Sequence, residues 1–316
     1  MSEFLIMLRN VLLFVALAVP GYILVKTKLM GKKSSGVLSK LLTYIGMPFL
    51  VLSSTLNVSF TGEMTLKIVL VGITGVIFTI AVFLLSALLV KGKEEQKKKG
   101  MARFCMVFSN NGFLGIPLAK AVFGESPVVT YLIVLNIITN VLMFTMGVYL
   151  ISGDKSLISI RKALLNPVLI SFVIGIALNL IGTTKYVPEV ATFSGYFSNI
   201  VTPVSMTILG MKMAEISFLT LFKKGMMYFV SAIKLVIVPA LAVGIALLLK
   251  LLFAIDNEII LGYFIALAMP TAGLASTFSD RYDGDTENAV IFTLGSTLFS
   301  VVTIPVLYWL LCLILF

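Results

Sequence analysis

The sequence predicts an all-α membrane protein of ten transmembrane helices, arranged as two inverted five-helix repeats with breaks in spans four and nine. Three observations carry that prediction. The 316 residues are 59% hydrophobic and 12% charged, with no histidine, whereas charged residues make up about a quarter of an ordinary soluble domain. Apolar runs that reach or approach the ~20 residues needed to cross a hydrocarbon core recur along the whole chain. Lysine and arginine gather in every second connection, which orients the spans.

The runs fall at 4–25, 36–56, 65–90, 102–123, 127–151, 165–183, 190–213, 226–250, 259–280 and 287–315. No basic leader precedes the first and no A-x-A-like site follows it, so it reads as a retained span. The second and seventh are the most dilute. Ser39, Thr43 and Gly46 in one, and Ser198, Thr202 and Ser205 in the other, are small enough for close helix approach. The fourth is interrupted at its centre by Asn110, Asn111 and Gly112, with Gly115 and Pro117 following. The ninth is interrupted by Ala268–Ala275, AMPTAGLA, which holds Pro270, Thr271 and Gly273. Bilayer interior offers no water to a broken helix, so such interruptions persist only inside protein or along a cavity.

The odd connections hold Lys26, Lys28, Lys32 and Lys33; Lys91, Lys93, Lys97, Lys98, Lys99 and Arg103; Lys155, Arg161 and Lys162; and Lys212, Lys223 and Lys224. The even ones hold little beyond Lys67, Lys120, Lys185 and Lys250. By the positive-inside rule the odd connections are cytoplasmic and both termini extracytoplasmic. The net charge of +10 is therefore a topology signal, and loops this short do not form a nucleic-acid surface. Cys105 and Cys312 allow no disulfide framework and no metal-ligand spacing. No cofactor or metal is expected.

The halves correspond. Ile45-Gly46-Met47-Pro48 in span two answers Ile200-Val201-Thr202-Pro203 in span seven, 155 residues on. Phe123-Gly124-Glu125 answers Tyr282-Asp283-Gly284-Asp285, and Asn136 and Asn140 answer Ser296 and Ser300, 160 residues on. Five spans per half invert the second copy in the membrane. The expected repeats are 1–151 and 165–316, joined by a cytoplasmic connection at 152–164. Broken spans at corresponding positions of two inverted halves point to a secondary transporter's binding site.

Asn110 and Asn111 offer donors and acceptors together, so they can bond a carboxylate and also satisfy freed backbone. Gly112 and Gly115 allow close approach, and Pro117 suits the first turn of a new half-helix, whose leading amides carry partial positive charge. A packing kink with polar caps is the plainer alternative. Lys234 lies about eight residues into span eight, roughly 12 Å deep at 1.5 Å per residue. Its partner is a carbonyl end of either break, the substrate anion as countercharge, or water reached by snorkelling. No aspartate or glutamate lies deep in any span, which disfavours a carboxylate proton relay. Asp280, Asp283, Asp285 and Glu287 read with Arg281 as a solvated helix-end network.

The stretch Phe108–Gly124, FSNNGFLGIPLAKAVFG, resembles the fourth-span signature of the auxin efflux carrier family. AMPTAGLASTFSDRYDGD and STLFSVVTIPVLYWL are similar to its ninth and tenth spans. The resemblance implies that the two breaks cross near the midplane and that the cargo is a small organic anion, such as a dicarboxylate or an auxin-like aromatic acid. Substrate contacts then fall on Asn110, Asn111, Gly112, Leu114, Asn136, Pro270 and Thr271, with Gly115, Pro117 and Gly273 as hinge positions. It also implies efflux by an elevator-type mechanism. Spans one, two, six and seven form a scaffold that pairs as a homodimer, and the other six spans form the moving unit. The short connection at Ser152–Leu164 matches a prokaryotic-type member in the cell (inner) membrane. A channel or a membrane sensor for the same anions remains the alternative. An intramembrane enzyme has no nucleophile, zinc or paired-aspartate constellation to support it.

Overall fold

The structure is a computed structural model and describes residues 3–31, 33–56, 58, 61–91, 95–124, 126–215, 218–253 and 255–316. Lys32, Lys93 and Glu125, used above, lie outside the described residues. In chain order the main helices are α1 (Phe4–Lys26), α2 (Ser34–Leu56) and α3 (Gly62–Leu89), then α4 (Gln96–Val107), α5 (Asn111–Phe123) and α6 (Pro127–Ser152). They continue with α7 (Lys155–Leu180, uninterrupted only from Pro167), α8 (Glu189–Ser198), α9 (Val201–Glu215) and α10 (Gly225–Leu251). The chain closes with α11 (Asn257–Ala268), α12 (Ala275–Arg281) and α13 (Thr286–Leu315). Among the described residues seven of these, α1, α2, α3, α6, α7, α10 and α13, are long and apolar enough to cross a membrane. The expectation of an all-α membrane protein therefore holds.

Local chemistry sets the ends. Thr61 caps α3 by accepting from Met64 N–H, and Asn166 caps the continuous part of α7 by accepting from Val168 N–H. Ser126 caps α6 ahead of Pro127, whose missing donor costs nothing at a first helical position. The seventh apolar run is not one rod. It divides at Asn199–Ile200 into α8 and α9. The fourth starts earlier than its hydropathy suggests, because α4 carries Lys97, Lys98 and Lys99 in its first turns.

Backbones meet where glycine permits. The second part of α1 lies on α9, and a Cβ on Gly21 would stand 1.9 Å from the Thr207 carbonyl oxygen. A Cβ on Gly210 would stand 1.8 Å from that of Ala18. The end of α2 packs on α7, where Asn179 Nδ2 donates to the carbonyls of Thr55, Leu56 and Val58 at 3.0, 2.7 and 2.9 Å. On the other side α3 and α11 both pack on α6, and α10 packs on α11 and α13. Among the described residues wide π-type turns interrupt three helices, at Leu42–Gly46, Met143–Gly147 and Ile233–Ile237, and a fourth opens α5 at Asn111–Gly115. Such turns are uncommon and concentrate at functional sites.

Candidate functional site

The two interruptions meet. Helix α4 ends at Val107, α5 begins at Asn111, and the extended residues between them lie antiparallel to the break between α11 and α12, with Ser109 opposite Thr271. Asn110 N–H donates to the Pro270 carbonyl at 2.8 Å, and Ala272 N–H donates to the Phe108 carbonyl at 2.9 Å. Each break thus satisfies backbone groups that the other has freed, as a water-poor interior demands. Thr271 completes the joint. Its N–H donates to Ser296 Oγ and its hydroxyl donates to the Cys105 carbonyl, both at 3.1 Å.

Lys234 also serves the joint. It is fully buried in the π-type turn of α10, and its Nζ donates to Ser109 Oγ at 2.5 Å. Snorkelling is thereby excluded, and the partner is a side-chain hydroxyl rather than a carbonyl end.

A cavity of about 640 Å³ reaches the crossing. At its inner end are Ser109, Asn110, Gly112, Asn136, Asn140 and Gly273. Asn140 Nδ2 donates to both the carbonyl and the side-chain Oδ1 of Asn136, at 2.8 and 3.1 Å. That occupies the Asn136 acceptor and leaves its Nδ2, on a residue only 3% exposed, without a partner. Gly112 makes room: a Cβ there would lie 2.6 Å from Met47 Cε and 3.3 Å from Asn136 Oδ1. Gly273 does the same for the Asn110 amide, whose oxygen and nitrogen would stand 3.3 and 3.5 Å from an added Cβ. The first helical bonds of α5 run from Leu114 and Gly115 to the Asn110 carbonyl. The N–H groups ahead of them begin the helix at the cavity, which Gly112 and Phe113 line.

Of the residues singled out from sequence, Asn110, Gly112, Asn136 and Gly273 line the cavity. Asn111, Leu114, Pro270 and Thr271 do not. Asn111 is 1% exposed with both side-chain polar atoms unpartnered. Pro270 supplies the carbonyl that holds Asn110 N–H, and Thr271 supplies the joint described above. Gly115 faces Met269, and Pro117 is buried at the start of the regular α-helical part of α5.

Three lining residues were assigned other roles from sequence: Arg161, Lys162 and Arg281. The first two were topology markers. Arg281 does not pair with the neighbouring acids, which have other partners. Asp283 binds Lys97 at 2.7 Å, Asp280 accepts from the Thr286 hydroxyl at 2.6 Å, and Asp285 caps α13. Their only sequence signal was the absence of an acid at helical spacing from Arg161 and Lys162.

Comparison with known proteins agrees in kind. Residues 6–159 match the family described as "Membrane transport protein", and residues 204–315 match the "Sodium Bile acid symporter family". An "Uncharacterized transporter" of Methanothermobacter thermautotrophicus is 26% identical over 304 residues, 94% of this chain and 96% of that protein. Another, of Methanocaldococcus jannaschii, is 24% identical over 312 residues, 95% of this chain and 97% of that one.

Proposed function

We propose that this chain, a membrane transporter related to the auxin efflux carriers and not an enzyme, carries small organic anions by alternating access. The observation that carries the reading is the cavity at the crossing. It is lined by Asn110 and by Asn136, whose buried Nδ2 has no partner, and no acidic side chain lines it among the described residues. Neutral amide donors and the N-terminus of α5 suit a carboxylate without a buried countercharge. Lys234 holds the Ser109 hydroxyl, a lining group, in place at that end.

The chain works as two inverted five-helix repeats, each contributing one break. The separate matches of its halves to two transporter families, and the pairing of one break from each half, support this. The contacts of α1 with α9 and of α2 with α7 and α8 support a scaffold distinct from the unit built around α6 and α11. In the elevator scheme that unit slides as one body, since backbone hydrogen bonds lock the breaks together. The scaffold pairs two copies in the cell membrane, with both termini extracytoplasmic. An inside-negative potential then favours anion export, at about 2.3 kcal/mol per charge per 100 mV. The second half's likeness to a family named for sodium and an organic acid supports an anionic cargo. Reconstitution into liposomes tests the reading. A carrier gives saturable counterflow of a labelled carboxylate, whereas a channel gives flux without counterflow.

A further inference from the structure

We propose that Arg161, Lys162 and Arg281 form a second anion subsite at the mouth of the cavity, so that the preferred cargo is a small dicarboxylate over a monocarboxylate. This rests on the reading of the cavity as a carboxylate site. The three cations line the same cavity as Asn110 and Asn136, and they are exposed while the amide end is buried or half-buried. The cavity therefore has a neutral hydrogen-bonding end and a cationic end.

The charges there are uncompensated. Three cations elsewhere in the described residues are paired with acids: Lys67 with Glu63 and Asp256, Lys97 with Asp283, and Lys224 with Glu287. Among the described residues none of the three at the mouth has an acidic partner within 4.0 Å. The Arg281 guanidinium lies over the Tyr282 ring, 5.7 Å from its centroid. Like charges converging on one cleft repel each other and focus the potential, and an arriving anion relieves both. Arginine adds a planar fork that grips a carboxylate with two parallel bonds.

The spacing suits a ligand with two charged groups. Helix α12 runs from Ala275 to Arg281, just beyond the break at Gly273, so about 10 Å of backbone separates the two subsites at 1.5 Å per residue. The length of an arginine side chain is enough to shorten that gap. A monocarboxylate fills the amide end and leaves the cations unneutralised. A dicarboxylate satisfies both ends.

Titration calorimetry on the purified full-length protein, with succinate and butyrate as probes, tests this. The two ligands share a carbon skeleton length and differ by one carboxylate. Wild-type protein should prefer succinate, and the preference should shrink as salt is raised. In Arg281→Gln, and in the double variant Arg161→Gln/Lys162→Gln, succinate affinity should fall about tenfold or more, while butyrate affinity moves less than about threefold. Retained butyrate binding also shows that each variant is folded. A succinate-to-butyrate ratio unchanged in both variants would overturn the subsite and leave the carboxylate site standing, the cations then serving orientation alone. If wild-type protein bound neither acid, the carboxylate reading itself would fail.

Discussion

Replacing Asn136 by alanine separates what this residue does for the fold from what it does for the ligand. Its Oδ1 is held by Asn140, and its Nδ2 has no partner although the residue is only 3% exposed. A buried, unsatisfied donor costs about 1–3 kcal/mol. Removing it relieves that cost, against the loss of one bond from Asn140 and a little packing. The net change in stability should stay within about 1 kcal/mol, an estimate built from these opposing terms. Binding should behave differently. A hydrogen bond to a charged carboxylate contributes about 1.5–3 kcal/mol, so Asn136→Ala should weaken carboxylate affinity by about 10- to 150-fold. Asn140→Ala leaves the donor in place but releases the acceptor that orients it, so its loss should be intermediate. Calorimetric titration and thermal unfolding in the same detergent measure both quantities. Affinity within twofold of wild type in folded Asn136→Ala protein would refute the reasoning, as would an affinity loss that merely followed the unfolding temperature.

Further outcomes follow from the packing and the charges. Gly210→Ala places a methyl 1.8 Å from the Ala18 carbonyl oxygen, so α1 and α9 must part, at about 1–3 kcal/mol. Gly244→Ala, which meets nothing within 4 Å, should leave the unfolding temperature unchanged or slightly higher. Ser109→Ala strips the buried Lys234 Nζ of its hydroxyl partner and should cost about 1–3 kcal/mol. Lys234→Met removes the buried polar group altogether and should be neutral or stabilising in the same thermal assay. Cysteines placed at Lys98 and Lys185 should react with an impermeant thiol reagent from opposite faces of the membrane, and labelling from one face would reject the orientation.

The breaks were legible because polar residues and glycine in an apolar run have few uses in lipid. Asn110-Asn111-Gly112 and Pro270-Thr271 could be read as interruptions without any structure. Their pairing into one joint follows from tertiary contact, and the resemblance, not local sequence, anticipated it. Which asparagine faces the cavity was not legible. Asn110 and Gly112 line the cavity while Asn111 is buried between them, an orientation set by how the break packs against the second one. Asn140 is not among the expected substrate contacts, yet it lines the cavity and holds the Asn136 Oδ1. Arg161, Lys162 and Arg281 were hidden by a stronger local explanation. Basic residues near span ends already report orientation, and only the fold brings residues 120 positions apart to one cavity.

The central claim is that the crossing is a carboxylate site of a carrier. Counterflow in liposomes tests it most directly, using wild-type protein and the double variant Asn110→Ala/Asn136→Ala, each shown folded by its size-exclusion profile. The account predicts saturable uptake of labelled succinate or butyrate driven by the unlabelled acid inside, and loss of most of that uptake in the variant. Counterflow equal in the two proteins, or carboxylate flux that never saturates, would contradict it.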